Sequence, residues 1–376
     1  MTDTFCDLNG VSRFLNDMLD EATLQNKQLY VITVTAKHRC KQHPNSFILQ
    51  PVWKMEMPFY KELDFVVPSY TQIKEKILTL NPDIMHISTP GVAGLYGRLI
   101  AKKYNIPLVG TYHTDFPMYV YKNTKLNMLK KITQTYLRWF YKDFRFLLSR
   151  SNEYIKIIQQ DIYHREVHTI HPGINIQNFH PKYKNMDIWS QYHIQQDRMK
   201  FLYVGRVTNE KNLDFLFEAW KIFYTKHEKH SPYLIIVGEG NITKYQKNYP
   251  NLNIKFLGRK INQELATIYT SSDIFAFPST TDTLGQVVFE AIASGLPVLV
   301  SNIGGPQTIV NRSSKQVGFI NSIQNHQEWA DLFEYCLHNP QILQQLTKNC
   351  LEYSQTFSIS KSFLSFWQSH TKLLQR

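Results

Sequence analysis

Two carboxylates, Asp282 and Glu290, stand with a short turn and part of a helix between them in PSTTDTLGQVVFEAIASGLPVLVSNIGGPQTIV, residues 278–310. Leu284 and Gly285 form a turn after the first acid, and an apolar-periodic helix carries the second. Gly295 and Pro297 stop that helix, PVLVS reads as a buried strand, and Gly304 and Gly305 make a second glycine turn. A helix opening near Leu284 or Gly285 aims unpaired N–H groups and the positive end of its dipole at whatever precedes it. That arrangement suits a phosphate. Glu290, about a turn and a half further in, has the reach for a ribose or sugar hydroxyl. The alternative for Glu290 is a solvated helix residue with no ligand.

Arg206 and Lys211 lie in GRVTNEKN, a loop between a strand end and a helix. Two cations converging on a helix start can hold a pyrophosphate and stabilise a departing nucleoside diphosphate as its charge develops. Asn9 and Gly10 lie in a loop that feeds a helix from about Val11, a second, weaker phosphate-type feature. His113 and Asp115 fall at the carboxyl end of the strand in IPLVGTYHTDF, residues 106–116, which is the end where parallel α/β sheets place their ligands. Other chemistries lack their signatures. VGEGN has no third glycine at dinucleotide spacing, and there is no GxxxxGK[ST] loop, GxSxG elbow or HExxH pair.

The elements that must position these residues alternate between strand and helix. QLYVITVTAK, PDIMHIST, IPLVGTYHTDF, FRFLLSRS and HTIHPG read as strands in the first half, and MKFLYVG, YLIIVG, IKFLGR, DIFAFPS and PVLVS in the second. Such alternation predicts parallel sheets in an α/β fold. The expected organisation is an amino-terminal domain over 1–182, a polar linker over 183–198, a second domain over 199–355, and a final helix over 356–376 packing back on the first. A length of 376 residues with 43% hydrophobic and 19% charged residues agrees with two globular domains.

The net charge of +12 points to anionic partners, whether nucleic acid, anionic lipid or a phosphorylated small molecule. No apolar run reaches the length of a membrane span and no signal pattern opens the chain. The expectation is a cytoplasmic protein, soluble or peripheral on the membrane. The four cysteines, Cys6, Cys40, Cys336 and Cys350, have no CxxC spacing and read as ordinary thiols of a reducing compartment.

Residues 118–146 form a basic, aromatic stretch. Leu129, Ile132, Tyr136, Trp139 and Phe140 recur at helical spacing, with Lys122, Lys125, Lys130, Lys131, Arg138, Lys142 and Arg145 around them and only Asp143 opposing. Two readings stand side by side: a helix docking on an anionic membrane surface, or a surface helix whose aromatic side packs on the core.

Taken together, GRVTNEKN, VGEGN, PSTTDTLGQVVFEAIASGLPV and NIGGP resemble the donor half of retaining glycosyltransferases of family 4, while TDTF with NGV, PDIMHISTPG, GTYHTDFP and HPGINIQNFHP resemble the acceptor half. The likeness runs over nearly the whole chain and is nearest the lipid-glycosylating branch. It implies the GT-B architecture: two facing Rossmann-like domains with parallel sheets and an interdomain cleft. It also implies a nucleotide-diphosphate sugar donor, a lipid or lipid-linked acceptor, and no metal or other cofactor. The partners it implies are a nucleotide sugar and a membrane surface, with no nucleic acid.

Transferred position by position, the resemblance puts the pyrophosphate clamp on Arg206 and Lys211, the sugar-facing acid on Asp282 and the ribose-facing acid on Glu290. The active-site histidine falls on His113, beside Asp115, and the diphosphate loop on Gly10, with Leu284, Gly285, Gly304 and Gly305 lining the donor side. Three departures accompany it. Asp282 stands where the family usually has Glu, one methylene shorter in reach. Thr308 stands where an acid is common. The chain opens at TDTF without most of the family's first strand, so an upstream segment or a separate chain is expected to supply it. These departures motivate the rival expectation of a catalytically impaired GT-B protein that binds a sugar nucleotide or a partner. An epimerase acting on the nucleotide sugar fits the motifs of both halves less well.

Overall fold

Apolar runs flanked by amphipathic segments fold here into two compact units, Met1–Gly173 with Ile359–Arg376, and Ile174–Ser358. The computed structural model describes every residue except 8–9, 36–39, 41, 58–59, 151, 228–231, 283 and 376.

The first unit opens with helix α1 (Gly10–Leu24), the parallel pair β1 (Val31–Val34) and β2 (Ser46–Leu49), and the antiparallel hairpin β3 (Pro51–Met57) and β4 (Tyr60–Pro68). Then come α2 (Tyr70–Leu80), β5 (Met85–Ile87), α3 (Val92–Lys103), β6 (Leu108–Tyr112), α4 (Phe116–Thr124), α5 (Asn127–Tyr141), β7 (Leu147–Ser149), α6 (Asn152–Asp161) and β8 (Val167–Thr169). Strands β5 to β8 form a parallel sheet in sequence order. The pair β1 and β2 is a separate sheet, and the opening residues lie between the two. Thr2 N–H donates to Ile32 O at 3.2 Å, and Ser88 N–H donates to Met1 O at 2.9 Å. Asp3 then caps α3, accepting from Ala93 N–H and from the Thr89 hydroxyl, each at 2.8 Å. Gly91 is required there because a β-carbon would strike the Asp3 carboxylate.

The second unit contains β9 (Lys200–Val204), α7 (Leu213–Lys226), β10 (Tyr233–Val237), α8 (Ile242–Asn248), β11 (Ile254–Gly258), α9 (Asn262–Thr270) and β12 (Ile274–Phe277). It continues through α10 (Gln286–Ala293), β13 (Val298–Ser301), α11 (Gly305–Asn311), β14 (Gly318–Asn321), α12 (His326–His338) and α13 (Pro340–Ser354). Its six strands are all parallel, in the order β11-β10-β9-β12-β13-β14. The chain therefore winds outward one way from β9 to β11 and the other way from β12 to β14. The reversal lies between β9 and β12, where a doubly wound sheet leaves a crevice at its carboxyl ends. The four inner strands β10, β9, β12 and β13 are buried along their whole length because helices cover both faces, while the edge strands β11 and β14 are mostly half-buried.

The last helix, α14 (Ile359–Leu374), belongs to the first unit, where Phe363 and Phe366 share a core with Phe14, Met18 and Leu19 of α1 and with Val109, Phe146 and Leu148. The opposite face of that sheet is covered by Ile73, Ile77, Ile100, Phe140 and Ile158 from the other helices.

Four sequence expectations change. Residues 174–198, expected as the end of the first domain and a linker, belong to the second unit. They form three short 3-10 turns that bury Trp189 completely, its indole N–H donating to Ser271 O at 3.0 Å. Polar composition concealed this, because the segment needs only a few anchors to pack. Residues 118–146 are not one helix. Lys125 adopts the left-handed conformation (φ 58°) and separates α4 from α5. Cys6 and Cys40 form a disulfide, Cα atoms 4.7 Å apart, tying the segment before α1 to the segment after β1; Cys336 and Cys350 are buried free thiols. The pairing joins residues 34 positions apart, a relation no local spacing reveals. The hairpin β3–β4 was not expected at all. Among the described residues, no helix is long and apolar enough to cross a membrane.

A short histidine chain runs through the first unit. His86 and His370 share a hydrogen bond at 2.8 Å, His86 also meets the Thr111 hydroxyl at 3.0 Å, and His370 meets Phe366 O at 2.7 Å. Desolvation pulls both imidazoles down, His370 to about 4 and His86 well below its ordinary value, where the His370 ring adds to the effect.

Two outcomes follow from this packing. Trp189→Ala leaves a cavity and an orphaned Ser271 carbonyl, and lowers stability by about 3–5 kcal/mol in denaturant unfolding. A flexible linker would give a change near zero. For the histidines, the folded state binds fewer protons than the unfolded state below the unfolded value near ~6.5, so their contribution is present at neutral pH and lost on acidification. The melting temperature falls as pH drops from about 6.5 toward about 4, with up to roughly 1.4 kcal/mol lost per histidine per pH unit, and the fall is shallower in His370→Gln. Equal slopes in wild type and variant would exclude this assignment.

Candidate active site

In the second unit, the site is built at the carboxyl ends of β9 and β12, where the winding reverses. The chain leaves β9 through Gly205 and zips against the loop after β10. Gly205 N–H donates to Val237 O (3.0 Å), Val207 N–H to Glu239 O (2.7 Å) and Asn241 N–H to Val207 O (2.7 Å). A β-carbon on Gly238 would run into the Gly205 carbonyl, and one on Gly240 into the Val207 carbonyl. The two glycines of VGEGN thus permit close backbone contact between loops.

This clamp fixes the loop that holds the two cations. The Tyr203 hydroxyl donates to Arg206 O at 2.8 Å, and a 3-10 turn over Asn209–Lys211 leads through left-handed Asn212 (φ 60°) into α7. Arg206 pairs with Glu210 one turn on, Nη2 to Oε1 at 3.1 Å, and Glu210 is almost wholly buried. Lys211 reaches across to the loop after β12, where its ammonium donates to both carboxylate oxygens of Asp282 at 2.8 Å. The Ser279 hydroxyl donates to the same carboxylate, and the Thr281 hydroxyl to Glu210 O at 3.2 Å.

Lys211 is 12% and Asp282 23% exposed, so the pair is screened only in part by solvent. Burial opposes the charge on Asp282, but the Lys211 ion pair and hydrogen bond, the Ser279 hydroxyl and the nearby Arg206 charge prevail, holding its carboxyl below the usual range. The site therefore holds two cations, Arg206 and Lys211, each beside a carboxylate, with the Asp282 carboxylate held ionised.

The glycine turns serve the same loop. Gly285 caps α10 in the left-handed region (φ 82°), and a β-carbon there would meet the Pro306 ring at 2.9 Å. Gly304 (φ 88°) precedes α11, and Gly305 N–H donates to Asp282 O at 2.8 Å. Leu284 is buried beneath the turn. The structure thus brings Arg206, Lys211, Asp282, Gly285, Gly304 and Gly305 into one neighbourhood. Thr308 turns inward along its own helix, donating to Gly305 O at 2.6 Å.

Glu290 is placed differently from both sequence readings of an accessible helix residue. It is 0% exposed, and its Oε2 accepts from the Tyr269 hydroxyl of α9 at 3.1 Å. Tyr269, also fully buried, is a supporting residue that sequence reasoning missed. Only its place in an apolar helix was visible.

In the first unit, His113 follows β6, its ring 5.5 Å from Phe14 of α1. Arg150, just after β7, has its guanidinium over the same Phe14 ring at 4.8 Å and is buried. Desolvation, and secondarily the Arg150 charge, pull His113 down to about 3, so it is a neutral imidazole at physiological pH. Desolvation likewise lowers Arg150 to about 10. Arg150 was not singled out from the sequence, although its position after the FRFLLS strand is the same strand-end signal that marked His113. Asp115 is the N-cap of α4, accepting from Met118 N–H at 3.2 Å and from the Tyr112 hydroxyl at 3.4 Å, and burial raises its pKa. Gly10 opens α1 and is exposed; Asn9 beside it lies outside the described residues.

Comparison with known proteins agrees with this division of labour. Residues 8–178 match the model of Glycosyltransferase Family 4, and residues 187–353 match that of Glycosyl transferases group 1. The chain is similar to the sulfoquinovosyl transferase SQD2 of Arabidopsis thaliana, 25% identical over 80% of this chain and 58% of the plant protein. It is 27% identical to the alpha-monoglucosyldiacylglycerol synthase of Acholeplasma laidlawii, over 91% of this chain and 88% of that enzyme. The solved structure of Anabaena HepE in complex with UDP-glucose superposes with a TM-score of 0.75 at 15% identity, covering 99% of this chain and 98% of that one. With both halves matched in order and the doubly wound sheets in place, the chain belongs to the family 4 glycosyltransferases and has the GT-B fold.

Proposed function

We propose that this glycosyltransferase moves a hexose from a UDP- or GDP-linked sugar to a lipid or lipid-linked hydroxyl, with retention at the anomeric carbon and without a metal. The observation that carries the reading is the Lys211–Asp282 pair beside Arg206 at the reversal of the sheet. A diphosphate placed there meets two fixed cations, which perform the neutralisation a divalent ion would otherwise supply. The Lys211 ammonium has three donors and can hold Asp282 and a phosphate oxygen together. Asp282, kept ionised, retains lone pairs for the sugar hydroxyls. Glu290 is assigned to the ribose, with Tyr269 bracing its carboxylate.

In the reaction the bond from the anomeric carbon to the β-phosphate oxygen breaks, and a bond from the acceptor oxygen forms on the same face. The acceptor proton passes to the departing phosphate oxygen, whose growing charge Arg206 and Lys211 stabilise. His113, neutral at working pH, offers a hydrogen bond to the sugar without adding charge.

The acceptor class is supported by two observations. The relative from Acholeplasma laidlawii is named for a glycosylated diacylglycerol, a lipid. Helix α5 also reconciles the two readings of the basic stretch: Leu137, Phe140 and Tyr141 pack inward, while Met128 (66%), Ile132 (55%) and Trp139 (43%) stay exposed near Lys131 and Arg138. Exposed apolar tips among basic side chains suit an anionic headgroup layer.

A panel of UDP- and GDP-sugars with lipid extract tests the activity. Turnover is expected with one donor, unchanged by added Mg²⁺ or Mn²⁺; binding with neither hydrolysis nor transfer would leave a sugar-nucleotide-binding module instead. Arg206→Ala or Lys211→Ala should weaken donor binding at least about tenfold, the loss of one charge-assisted contact or more. His113→Ala should leave donor affinity intact and stop transfer, and equal loss of binding in all three would refute these roles. For the helix, the protein should sediment with anionic vesicles at low salt and release at high salt, with Ile132→Glu weakening capture. No capture at low salt would leave α5 as a packing helix only.

A further inference from the structure

Helices α7 and α12 pack side by side through Phe215, Phe223, Trp329 and Phe333. At one end of that pair three metal-ligating side chains converge. His227 caps the carboxyl end of α7, and Glu334 and His338 sit four residues apart near the end of α12. That spacing stacks the two on one helix face. His227 Nε2 lies 3.4 Å from Glu334 Oε1, the two imidazole rings are 5.6 Å apart, and the ligand atoms of all three residues lie within 4.8 Å of one another.

We propose that His227, Glu334 and His338 form a binding site for a transition-metal ion of the Zn²⁺ type. The donor set decides the class: two imidazoles and one carboxylate suit Zn²⁺, Co²⁺ or Ni²⁺ and not the all-oxygen shells of Ca²⁺ or Mg²⁺. Three protein ligands leave a fourth position for water. Ligands at about 2.0–2.2 Å from the ion require closing the longer separations by roughly an ångström, and His338 is exposed and Glu334 half-buried, so both can turn.

Two independent features point to a cation at this place. His227 Nε2 is buried and, among the described residues, has no hydrogen-bond partner of good geometry; its neighbour is the Glu334 carboxylate. Both helices also end here, so the negative dipole ends of α7 and α12 lie beside the three side chains. The competing cation is Lys226, whose ammonium is 3.9 Å from Glu334 Oε2, a loose pair at an exposed side chain. The site lies at the opposite end of α7 from Lys211, roughly 20 Å away along a helix of this length. It is therefore a clip between two core helices, separate from the donor loops.

The test uses the untagged full chain titrated with Co²⁺ and followed by its visible absorption, with Zn²⁺ displacing it. One ion is expected per chain, with the intense d–d bands of a four- or five-coordinate centre and a rise in melting temperature on Zn²⁺ addition. His338→Gln and Glu334→Gln, both at accessible positions that should not disturb folding, should each weaken binding at least tenfold. His164→Gln, an exposed histidine of the other unit, should leave it unchanged. Absence of binding at millimolar Zn²⁺, six-coordinate Co²⁺ spectra only, or equal affinity in wild type and His338→Gln would each overturn the proposal and leave an ordinary His–Glu pair.

Discussion

The donor half depends on one constraint: an ammonium and a carboxylate from two loops must meet at the reversal of a parallel sheet. The β9 loop brings Lys211 and the β12 loop brings Asp282, and their carboxyl ends are adjacent because β9 and β12 are neighbours. A partly buried charge left alone is costly, so each loop holds the other in place. The supporting features read as consequences. The glycines after β9 and β10 allow the backbone clamp that aims Lys211, and Gly305 N–H fixes the Asp282 carbonyl. Ser279 and Glu210 satisfy the remaining charge. The proposed diphosphate site thus comes with its electrostatics already organised, which is what stabilisation of a departing anion requires.

The first unit solves a different problem. Its neutral histidines are buried beside cationic or imidazole neighbours, with Arg150 over Phe14 and His113 against the same ring. Desolvation decides their protonation. An active-site imidazole held neutral can donate or accept one hydrogen bond without repelling a cation or attracting a stray anion.

Much of this was legible in the chain because parallel α/β strands announce themselves as short buried runs, and all ten strand expectations above coincide with strands or overlap them. The loop cations, the first acid and the glycine turns were legible for the same reason: each is pinned to a strand end. What the sequence concealed is relational. Trp189 sits in a polar segment, yet its indole is buried against Ser271. Cys6 and Cys40 lie 34 positions apart and meet only in the folded chain. Lys125 breaks the basic stretch by a backbone conformation that a lysine does not advertise. The hairpin opens with polar-interrupted PVWKM, whose Val52, Trp53 and Met55 are exposed, so it offers no buried run to read.

The two acids show how sequence spacing and burial weigh differently. Spacing alone left Glu290 between a ligand and a solvated helix residue, while the family resemblance set Asp282 apart as a methylene short of the usual Glu. In the structure, Asp282 has the visible engagement, chelating Lys211 with both oxygens, so its shorter reach is matched by a lysine that comes to it. A longer acid at 282 would have to fold back to make the same pair. Glu290 is wholly buried with a phenol on one oxygen. A carboxylate has room for about four hydrogen bonds, so Tyr269 does not exhaust it. What the phenol does is fix the rotamer, and a ribose diol that approaches a carboxylate already held in one orientation loses less entropy on binding. If the proposed roles hold, donor preference turns on the length of residue 282 and donor affinity on the rigidity behind residue 290.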